Sequence, residues 1–237
     1  MKPIIIGHRG ACGYAPENTL KSFEKAIALG ADMIEFDVHL CKSGEVVVIH
    51  DDTVDRTTNG TGAVQDKTLA ELKQLDAGDG ERIPTLAELF DHVHHRAQLY
   101  VELKGPDTAM PVLSIIEEYV KEREWKYEDF LVASFDHFQL KKIKEKNPYV
   151  RIAPITYNML VGYEEYVKKL QADVIVLCID TVWGQFFESM EETDLPIYVF
   201  TVNTTYEMQR INDKKIEGII TDYPDRIYKF LNKKPGT

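Results

Sequence analysis

Two short apolar runs of this sequence each carry charged residues two positions apart. Glu35 and Asp37 lie in one run, and Glu102 and Lys104 lie at the end of the other. Because side chains two apart point to the same face of a strand, the members of each pair project together. Burying neighbouring carboxylates is costly unless a cation compensates them. The pattern predicts a metal site formed by Glu35, Asp37 and Glu102.

An all-oxygen ligand set indicates the kind of cation and the kind of substrate. Three carboxylates without a thiolate suit Mg²⁺ or Ca²⁺ better than Zn²⁺. Arg9 and Lys104 add positive charge beside that cation, an arrangement that favours an anion and above all a phosphate. Histidine titrates near neutrality, so His8 and His50 can serve as an acid–base pair. Which of the two acts as the base stays open.

Each of these residues also has a structural interpretation. The carboxylates could pair with Arg9 and Lys104 without any metal, but three carboxylates exceed two cations and leave a charge to compensate. His8 and His50, taken singly, could be ordinary residues at strand ends. Cys12 is expected to act in packing, because no base is spaced for a thiolate mechanism. A further cluster of histidines is expected to form a solvated helix end: His92, His94 and His95.

The elements that must position these residues alternate between short β-rich runs and helical patterns. Continuous apolar strands indicate a parallel sheet covered on both faces, and strand–helix units imply crossovers of one hand. Eight strands are predicted to precede helices, at 4–6, 33–38 (extended by 46–49), 99–103, 130–133, 151–155, 174–178, 197–201 and 218–220. Helices are predicted at 17–29, 86–94, 108–124, 137–145, 163–170, 184–191, 205–212 and 225–231.

Eight strand–helix units predict an α/β fold of the (β/α)8 TIM-barrel type. The competing doubly wound sheet would carry a glycine-rich turn after its first strand, and Gly7–Gly10 is not a GxGxxG motif. The polar, turn-rich stretch 51–82 interrupts the pattern after the second strand region. We therefore expect one barrel domain over 1–237, with 51–82 as an inserted subdomain or lid on the carboxyl-end face, where barrels carry their active sites. Two later strand-end aromatic residues, Trp183 and Phe200, are expected to line the pocket.

Composition narrows the class of partner. The chain has 237 residues, a net charge of −11 and 44% hydrophobic residues, which is ample for a core. The negative charge argues against nucleic acid or an anionic membrane surface as the main partner, and no apolar stretch is long enough for stable membrane insertion. Three scattered cysteines without a CxxC pair, and a start that is too short for a signal peptide, favour the cytoplasm. The oligomeric state stays open.

The order of short motifs resembles the glycerophosphodiester phosphodiesterase family over nearly the whole chain. The motifs are His8-Arg9-Gly10, Pro16-Glu17-Asn18-Thr19, Glu35-Phe36-Asp37-Val38, His50-Asp51, Asp55-Arg56-Thr57-Thr58, Ile83-Pro84-Thr85-Leu86, Glu102-Leu103-Lys104, Ser134-Phe135, Thr201-Val202-Asn203 and Gly218-Ile219-Ile220-Thr221-Asp222-Tyr223-Pro224. Many motifs in register are far more specific than any one of them. The resemblance departs at Cys41, Ser43 and Phe200, where the family often has threonine, aspartate and tryptophan.

This resemblance implies a barrel with the inserted segment and metal-dependent hydrolysis of glycerophosphodiesters, such as glycerophosphocholine or glycerophosphoethanolamine, to sn-glycerol 3-phosphate and an alcohol. It implies Glu35, Asp37 and Glu102 as metal ligands. It also implies His8 and His50 as the acid–base pair, with Arg9 and Lys104 holding phosphate. The first nucleophile, water or the glycerol 2-hydroxyl, stays open. Phe200, in place of tryptophan, is expected to reshape the apolar wall of the pocket near the alcohol group.

Two other functions fit the same site plan. A lysophospholipase D-like hydrolase would need an apolar rim or anchor for an acyl chain, and no such segment is evident in the sequence. A non-catalytic barrel that binds a phosphorylated metabolite would need hydrogen-bond donors but no acid–base pair. The presence of both His8 and His50 speaks against that alternative.

Overall fold

The computed structural model describes residues 2–232 of the chain, so residues 1 and 233–237 of the predicted domain lie outside it. The strands are β1 (Ile4–Gly7), β2 (Met33–Leu40), β3 (Val46–Val48), β4 (Gln98–Leu103), β5 (Phe130–Ser134), β6 (Arg151–Thr156), β7 (Ile175–Cys178), β8 (Ile197–Phe200) and β9 (Gly218–Thr221). The helices are α1 (Leu20–Ala28), α2 (Leu69–Leu72), α3 (Leu86–Val93), α4 (Ala109–Glu122), α5 (His137–Lys146), α6 (Tyr163–Leu170), α7 (Gly184–Glu191), α8 (Thr205–Ile211) and α9 (Pro224–Leu231).

Eight of these strands form a closed parallel barrel, which confirms the predicted TIM fold. The hydrogen-bonded order runs β1-β9-β8-β7-β6-β5-β4-β2, and a further pairing of β1 with β2 closes the ring. The short strand β3 pairs antiparallel with β2 and extends the sheet outside the ring. Within the described range, none of the helices is long and apolar enough to cross a membrane.

The alternation of side chains along each strand separates two kinds of core. One apolar cluster takes residues from all eight barrel strands and fills the interior; it includes Ile6, Met33, Tyr100, Leu131, Ala153, Val176, Tyr198 and Ile220. The intervening strand residues, such as Phe36 and Val101, pack outward with buried residues of the helices, such as Phe23 and Phe90. Because inward positions recur every second residue, the next ones beyond the interior cluster face the carboxyl-end mouth of the barrel.

The segment after β3 forms a small unit on that mouth. It contains a short 3₁₀ turn at Val64–Asp66 and α2, whose first turn is closed by a capping box between Thr68 and Glu71. Its apolar side chains form a separate cluster with the end of the β2–β3 hairpin; the buried members are Cys41, Val47, Ile49, Val54, Val64, Leu72, Ala77 and Ile83. Four of these eight buried residues lie outside the predicted bounds 51–82, so the segment shares its core with the β2–β3 hairpin, and its bounds as an insertion stay a prediction. Its action as a lid stays a prediction.

One predicted boundary is wrong in a way that matters for the site. The first helix was expected from Glu17, but α1 begins at Leu20, with Thr19 as the N-cap whose side chain accepts from Ser22 N. Asn18 has a left-handed backbone with φ of 57°, which a helix does not accommodate. Glu17 and Asn18 consequently lie in the loop above the barrel, where their side chains can reach the residues of the mouth.

Candidate active site

A pocket of about 220 Å³ opens at the carboxyl ends of the barrel strands. Its lining comprises His8, Arg9, Asp37, His50, Glu102, Lys104, Phe135, Tyr157, Cys178, Phe200 and Thr201. A larger groove of about 440 Å³ lies between α5 and α6 on the outside of the barrel and shares none of these residues. The pocket that contains the predicted site residues is therefore the smaller one at the mouth.

Glu35, Asp37 and Glu102 come together at the base of this mouth, as predicted. Glu35 and Asp37 lie in the middle of β2, and the β2–β4 register sets Asp37 directly beside Glu102. The three residues are only 2%, 1% and 8% exposed. Burial, together with the charge of Asp37, raises the pKa of Glu35 well above its usual range and that of Glu102 to about 7.

The buried carboxylates fit a metal ion better than they fit the ion-pair alternative. Each can offer one oxygen to a common centre, and these atoms all lie within 4.8 Å of one another. Lys104 Nζ lies 2.5 Å from Glu102 Oε1 and 3.5 Å from Asp37 Oδ1. Glu35 makes no ion pair within the described residues, and its buried Oε1 atom lacks a hydrogen-bond partner there. Buried polar atoms normally have a hydrogen-bond partner or bind an ion, so the acidic triad could bind a metal ion through this oxygen.

Arg9 connects the triad to the loop before α1. Its backbone N–H donates to Glu35 Oε2 at 2.7 Å, and its Nη1 donates to Glu17 Oε1 at 2.7 Å. Its Nε lies 3.4 Å from Asp37 Oδ2, which also accepts from Asn18 Nδ2 at 2.9 Å. Burial disfavours the guanidinium charge, but the surrounding carboxylates outweigh burial and raise its pKa. Arg9 is therefore a fixed positive charge on the wall of the pocket.

Lys104 is the second positive charge of the pocket. Burial again disfavours its charge, but Glu102 and Asp37 more than offset burial and raise the pKa of the ammonium. Its Nζ also lies 5.4 Å from the centre of the Phe135 ring. Two cations therefore face the same space as the acidic triad, as the sequence predicted.

His8 is oriented by an aspartate from the opposite end of the chain. Its Nδ1 lies 2.6 Å from Asp222 Oδ1, and Asn203 Nδ2 donates to Asp222 Oδ2 at 2.7 Å. Burial alone would raise the pKa of Asp222, but the bonds from His8, Cys12 and Asn203 lower it to about 2. An ionised Asp222 accepts a hydrogen bond from Nδ1–H and leaves Nε2 as the ring nitrogen available to a substrate.

His50 is oriented in the same manner by its neighbour in sequence. Its Nδ1 lies 2.6 Å from Asp51 Oδ1. Burial lowers the pKa of His50, although Asp37 and Asp51 act in the opposite direction. The bond from Arg56 to Asp51 lowers the pKa of that carboxyl far below its usual range, so it stays ionised. His50 is thereby held with Nδ1 on the carboxylate, and its Nε2 has no hydrogen-bond partner within the described part of the chain.

Arg56 links the inserted segment to both sides of the mouth. Its Nε and Nη2 donate to the two oxygens of Asp51 at 2.7 and 2.9 Å. Its Nη1 and Nη2 donate to the two oxygens of Glu17 at 2.7 and 2.8 Å. Since Glu17 also binds Arg9, one guanidinium connects the carboxylate that holds Arg9 with the carboxylate that holds His50. These bidentate contacts favour a single arrangement of the groups.

The remaining wall of the pocket is aromatic. Phe135 and Tyr157 stack with ring centres 4.8 Å apart, and Phe200 meets Tyr157 edge-on at 5.3 Å. Phe200 lines the pocket as expected. The expectation for Trp183 is wrong, because this residue is 55% exposed and is not among the lining residues. Its indole N–H instead donates to the Asp180 carbonyl in the turn after β7.

The histidines near the end of α3 are remote from this pocket. His94 and His95 are exposed, as expected, whereas His92 is half-buried with its Nε2 3.2 Å from Glu24. Cys12 departs from the expectation of a packing role, because its thiol donates to Asp222 Oδ1 at 3.0 Å. Burial raises the pKa of this thiol, so it is protonated at neutral pH.

Four residues that orient the pocket had no role in the sequence interpretation: Glu17, Asp51, Arg56 and Asp222. A signal existed for Asp51, because it directly follows His50. Asp222 lies at the end of the last strand, which parallel closure brings next to the first. Glu17 was obscured by its assignment to a helix.

Comparison with known proteins identifies the class of enzyme to which this pocket belongs. A family model described as "Glycerophosphoryl diester phosphodiesterase family" matches residues 8–226. The chain is 36% identical to a glycerophosphodiester phosphodiesterase of Caldanaerobacter subterraneus over 243 residues, covering 98% of this chain and 99% of the relative. It is 35% identical to a glycerophosphodiester phosphodiesterase of Bacillus altitudinis, covering 95% of this chain and 97% of the relative.

A solved structure shares the whole architecture. The structure of an Oleispira antarctica phosphodiesterase in complex with the product sn-glycerol-3-phosphate superposes with a TM-score of 0.89 and 28% identity, covering 98% of this chain and 97% of that one. Barrel, pocket and relatives together define a phosphoric diester hydrolase. The chain belongs to the glycerophosphoryl diester phosphodiesterase family.

Proposed function

We propose that this enzyme hydrolyses glycerophosphodiesters, such as glycerophosphocholine or glycerophosphoethanolamine, to sn-glycerol 3-phosphate and an alcohol in a metal-dependent reaction. Membership of the family supports the reaction class, and the product bound by the Oleispira antarctica phosphodiesterase supports the glycerol phosphate half. The observation that carries the proposal is the pairing of two carboxylate-held imidazoles, His8 and His50, in one pocket with the acidic triad.

Glu35, Asp37 and Glu102 are the residues that would hold the metal. Their oxygen-only chemistry fits Mg²⁺ or Ca²⁺, and the buried Glu35 Oε1, which has no hydrogen-bond partner among residues 2–232, is available as a ligand. When bound, such a cation supplies charge neutralisation to the phosphate oxygens. Binding also compensates the carboxylates that burial otherwise drives toward protonation.

Arg9 and Lys104 are proposed to hold the phosphate. Both are kept charged by the surrounding carboxylates, and both line the pocket. Arg9 presents a planar guanidinium that is already fixed by Glu17, so little side-chain freedom is lost when phosphate binds. Preorganised positive charge of this kind stabilises the extra negative charge of the transition state more than that of the ground state.

His8 and His50 are proposed to transfer the protons. In each ring, Nδ1 donates to an aspartate, so Nε2 is the atom that exchanges a proton with substrate. One ring removes a proton from the attacking hydroxyl or water, and the other protonates the departing alcohol oxygen. Burial keeps His50 neutral at physiological pH, a state that can accept a proton. Each transfer is typically worth ~10²–10⁴-fold in rate.

The reaction is tested by the products it releases. Purified enzyme with added Mg²⁺ or Ca²⁺ is expected to release sn-glycerol 3-phosphate from glycerophosphocholine or glycerophosphoethanolamine, and exhaustive chelation should abolish the release. Turnover that survives chelation would remove the metal from the proposal. Binding of glycerol 3-phosphate without turnover of any diester would favour the non-catalytic alternative.

Substitution of the histidines tests the acid–base pair. His8→Ala or His50→Ala should lower kcat by ~10²–10⁴-fold with unchanged circular dichroism and Tm, because neither ring belongs to the apolar cores. His94→Asn is the matched control, since His94 is exposed at the end of α3 and asparagine tolerates its left-handed backbone. Near-normal turnover in both alanine variants would contradict the assignment.

A lysophospholipase D-like activity is the second candidate, and one feature of the structure favours it. The loop after β6 exposes Met159, Leu160 and Val161, at 47%, 48% and 107% exposure, two residues beyond the pocket-lining Tyr157. The sequence shows no evident apolar rim, but these three exposed apolar side chains follow the pocket-lining Tyr157 closely in the chain. The loop could accommodate the acyl chain of a lysophospholipid.

The role of this loop is tested by comparing two substrates. If the loop binds an acyl chain, Val161→Ser should raise KM for lysophosphatidylcholine and leave glycerophosphocholine hydrolysis unchanged. Phe138→Ser is the control, because Phe138 is 79% exposed on the outer helix α5. Absence of lysophosphatidylcholine turnover in the unmodified enzyme would dismiss this candidate.

A reducing compartment is part of the proposal. The three cysteines are free in the structure, which suits such a compartment. Cytoplasmic location remains our prediction and is tested by fractionating cells that express the full chain.

A further inference from the structure

A second group of potential metal ligands lies on the His8 side of the pocket. Atoms of His8, Cys12 and Asp222 lie within 4.8 Å of one another. His8 Nδ1 is 2.6 Å from Asp222 Oδ1, Cys12 Sγ is 3.0 Å from the same oxygen, and Sγ is 3.9 Å from Nδ1. All three residues are partly exposed, so ions can reach them. This group contains nitrogen, sulfur and oxygen, unlike the acidic triad.

The loop that carries Cys12 is fixed to the segment that carries Asp222. Gly13 N donates to the Asp222 carbonyl at 3.1 Å, and Tyr14 OH donates to Asp225 at 2.8 Å. Tyr14 also packs edge-on against Tyr223 with ring centres 5.2 Å apart. The three ligand residues are therefore held together by contacts outside the cluster, as a binding site with little reorganisation requires.

We infer that His8, Cys12 and Asp222 form a site for a borderline-soft divalent cation such as Zn²⁺, and that its occupation inhibits the enzyme. Tetrahedral Zn²⁺, with bonds of about 2.0–2.3 Å, separates its ligand atoms by roughly 3.3–3.8 Å. The observed distances of 2.6, 3.0 and 3.9 Å reach those values through shifts of less than about 1 Å. Three protein ligands leave the fourth position for water.

Ligand chemistry separates this site from the acidic triad. A thiolate and an imidazole favour Zn²⁺ over Mg²⁺ and Ca²⁺, whereas three carboxylates favour the harder ions. Mg²⁺ in excess can therefore occupy Glu35, Asp37 and Glu102 without competing strongly for Cys12. The same pocket thus has an activating and an inhibitory ion that differ in softness.

Inhibition follows from the protons that the cation replaces. In the metal-free site the thiol and the imidazole both donate to Asp222 Oδ1. Binding releases the Cys12 thiol proton to solvent, and the proton on His8 Nδ1 moves to Nε2 as Nδ1 becomes a ligand. The ring then carries a proton on Nε2, so it cannot accept another, and it cannot gain the second proton that a general acid needs. This consequence rests on the proposed function, whereas metal binding itself does not.

Cobalt provides a direct test of the ligand set. Enzyme in excess Mg²⁺, titrated with Co²⁺, is expected to develop the near-ultraviolet thiolate-to-cobalt charge-transfer band, and Zn²⁺ should abolish it by displacement. Cys12→Ser should lose the band. Cys41→Ser and Cys178→Ser are matched controls that should retain it, because Cys41 lies in the apolar cluster at the end of the β2–β3 hairpin and Cys178 on another part of the pocket wall.

The inhibitory role is tested by measuring zinc inhibition of the same protein variants. The Zn²⁺ concentration for half-inhibition, normalised to each protein's zinc-free rate, should rise by ~10–100-fold in Cys12→Ser and stay unchanged in Cys41→Ser. A band that persists in Cys12→Ser, or zinc sensitivity that this variant retains, would overturn the inference. If no diester is turned over, the proposed function fails, but the cobalt band still reports whether the site exists.

Discussion

Two aspartates determine what the histidines of this pocket can do. Asp222 and Asp51 each accept a bond of 2.6 Å from an imidazole Nδ1, and neighbouring donors keep both carboxyls ionised. A carboxylate on Nδ1 sets the tautomer, fixes the ring plane and stabilises the imidazolium that forms during proton transfer. The orientation of His8 and His50 is therefore as informative as their identity.

Replacing Asp222 with asparagine should disable His8 without removing it. In Asp222→Asn the amide can turn its NH₂ group toward Nδ1, which favours the tautomer with the proton on Nε2. We expect kcat for glycerophosphocholine to fall by ~10²–10⁴-fold with little change in Tm. Steady-state kinetics and thermal unfolding on the same preparation measure both effects.

An exposed aspartate gives the control for that variant. Asp213→Asn changes the same functional group in the exposed turn after α8 and should leave kcat within twofold or so of the parent. If Asp222→Asn also retained its rate, the contact between His8 and Asp222 would be structural only.

At the scale of elements, the alternation of side chains along a strand explains which site residues could be predicted from the sequence. Glu35 and Asp37 were expected on one face of a strand, and the inward position of Met33 places both in the barrel. His8 follows the inward Ile6 by two residues and Glu102 follows the inward Tyr100 by two. A polar residue that lies two positions after an inward-facing apolar residue of a strand can thus be assigned to the barrel interior from local sequence alone.

What could not be predicted depends on closure and on loop geometry. Asp222 is 214 residues from its partner His8, and the β1–β9 register that pairs Gly7 with Thr221 makes them neighbours. That register is a property of the closed ring. Glu17 precedes a helix whose start is set by the Thr19 cap, so its assignment to the helix removed it from consideration.

The inserted segment should affect turnover through Arg56. Arg56→Ala removes the contacts that hold Asp51 and Glu17, so His50 and Arg9 lose orientation. We expect kcat/KM to fall by about tenfold, or about 1.4 kcal/mol. The loss of stability should be no more than about 1 kcal/mol, because the side chain is 49% exposed and its ion pairs are weakened by solvent.

Arg82→Ala is the corresponding control within the same segment. Arg82 is exposed and donates to the Leu75 carbonyl, which lies outside the pocket lining. Its loss should leave kcat/KM unchanged. Equal effects of the two substitutions would mean that the segment acts through its general stability rather than through Arg56.

For the whole molecule, the buried triad couples folding to cation binding. The chain carries a net charge of −11, and the triad concentrates three of its carboxyls in the barrel. Glu102 has a pKa of about 7 in the folded protein against 4.5 ordinarily. A raised carboxyl pKa contributes stability that is fully present below about 4.5 and is lost as pH rises through about 7. Metal-free enzyme therefore carries an electrostatic cost at neutral pH.

The rise in Tm caused by Mg²⁺ or Ca²⁺ should accordingly depend on pH. At about pH 8 the cation meets an ionised Glu102, whereas at about pH 5.5 it must displace the proton of that carboxyl, and each pH unit below about 7 weakens binding by roughly tenfold. Differential scanning fluorimetry should show the larger shift at about pH 8. A cation concentration of 100 times Kd should raise the free energy of unfolding by about 2.7 kcal/mol.

Two glutamine variants check the origin of that shift. Glu102→Gln should reduce both the shift and its dependence on pH, whereas Glu122→Gln, on the exposed end of α4, should behave as the parent. A shift of equal size at both pH values would place the responsible carboxyls elsewhere.

Arg56 donates to both Glu17 and Asp51, so the side of the mouth that carries Arg9 and the side that carries His50 are thermodynamically interdependent. Energies lost by substituting Arg9, Glu17, Arg56 or Asp51 should not sum, because the first break already frees the others. Epistasis of this kind means that such a network is best transplanted or redesigned as a block. Homologous barrels that lack one member would be expected to have replaced several together.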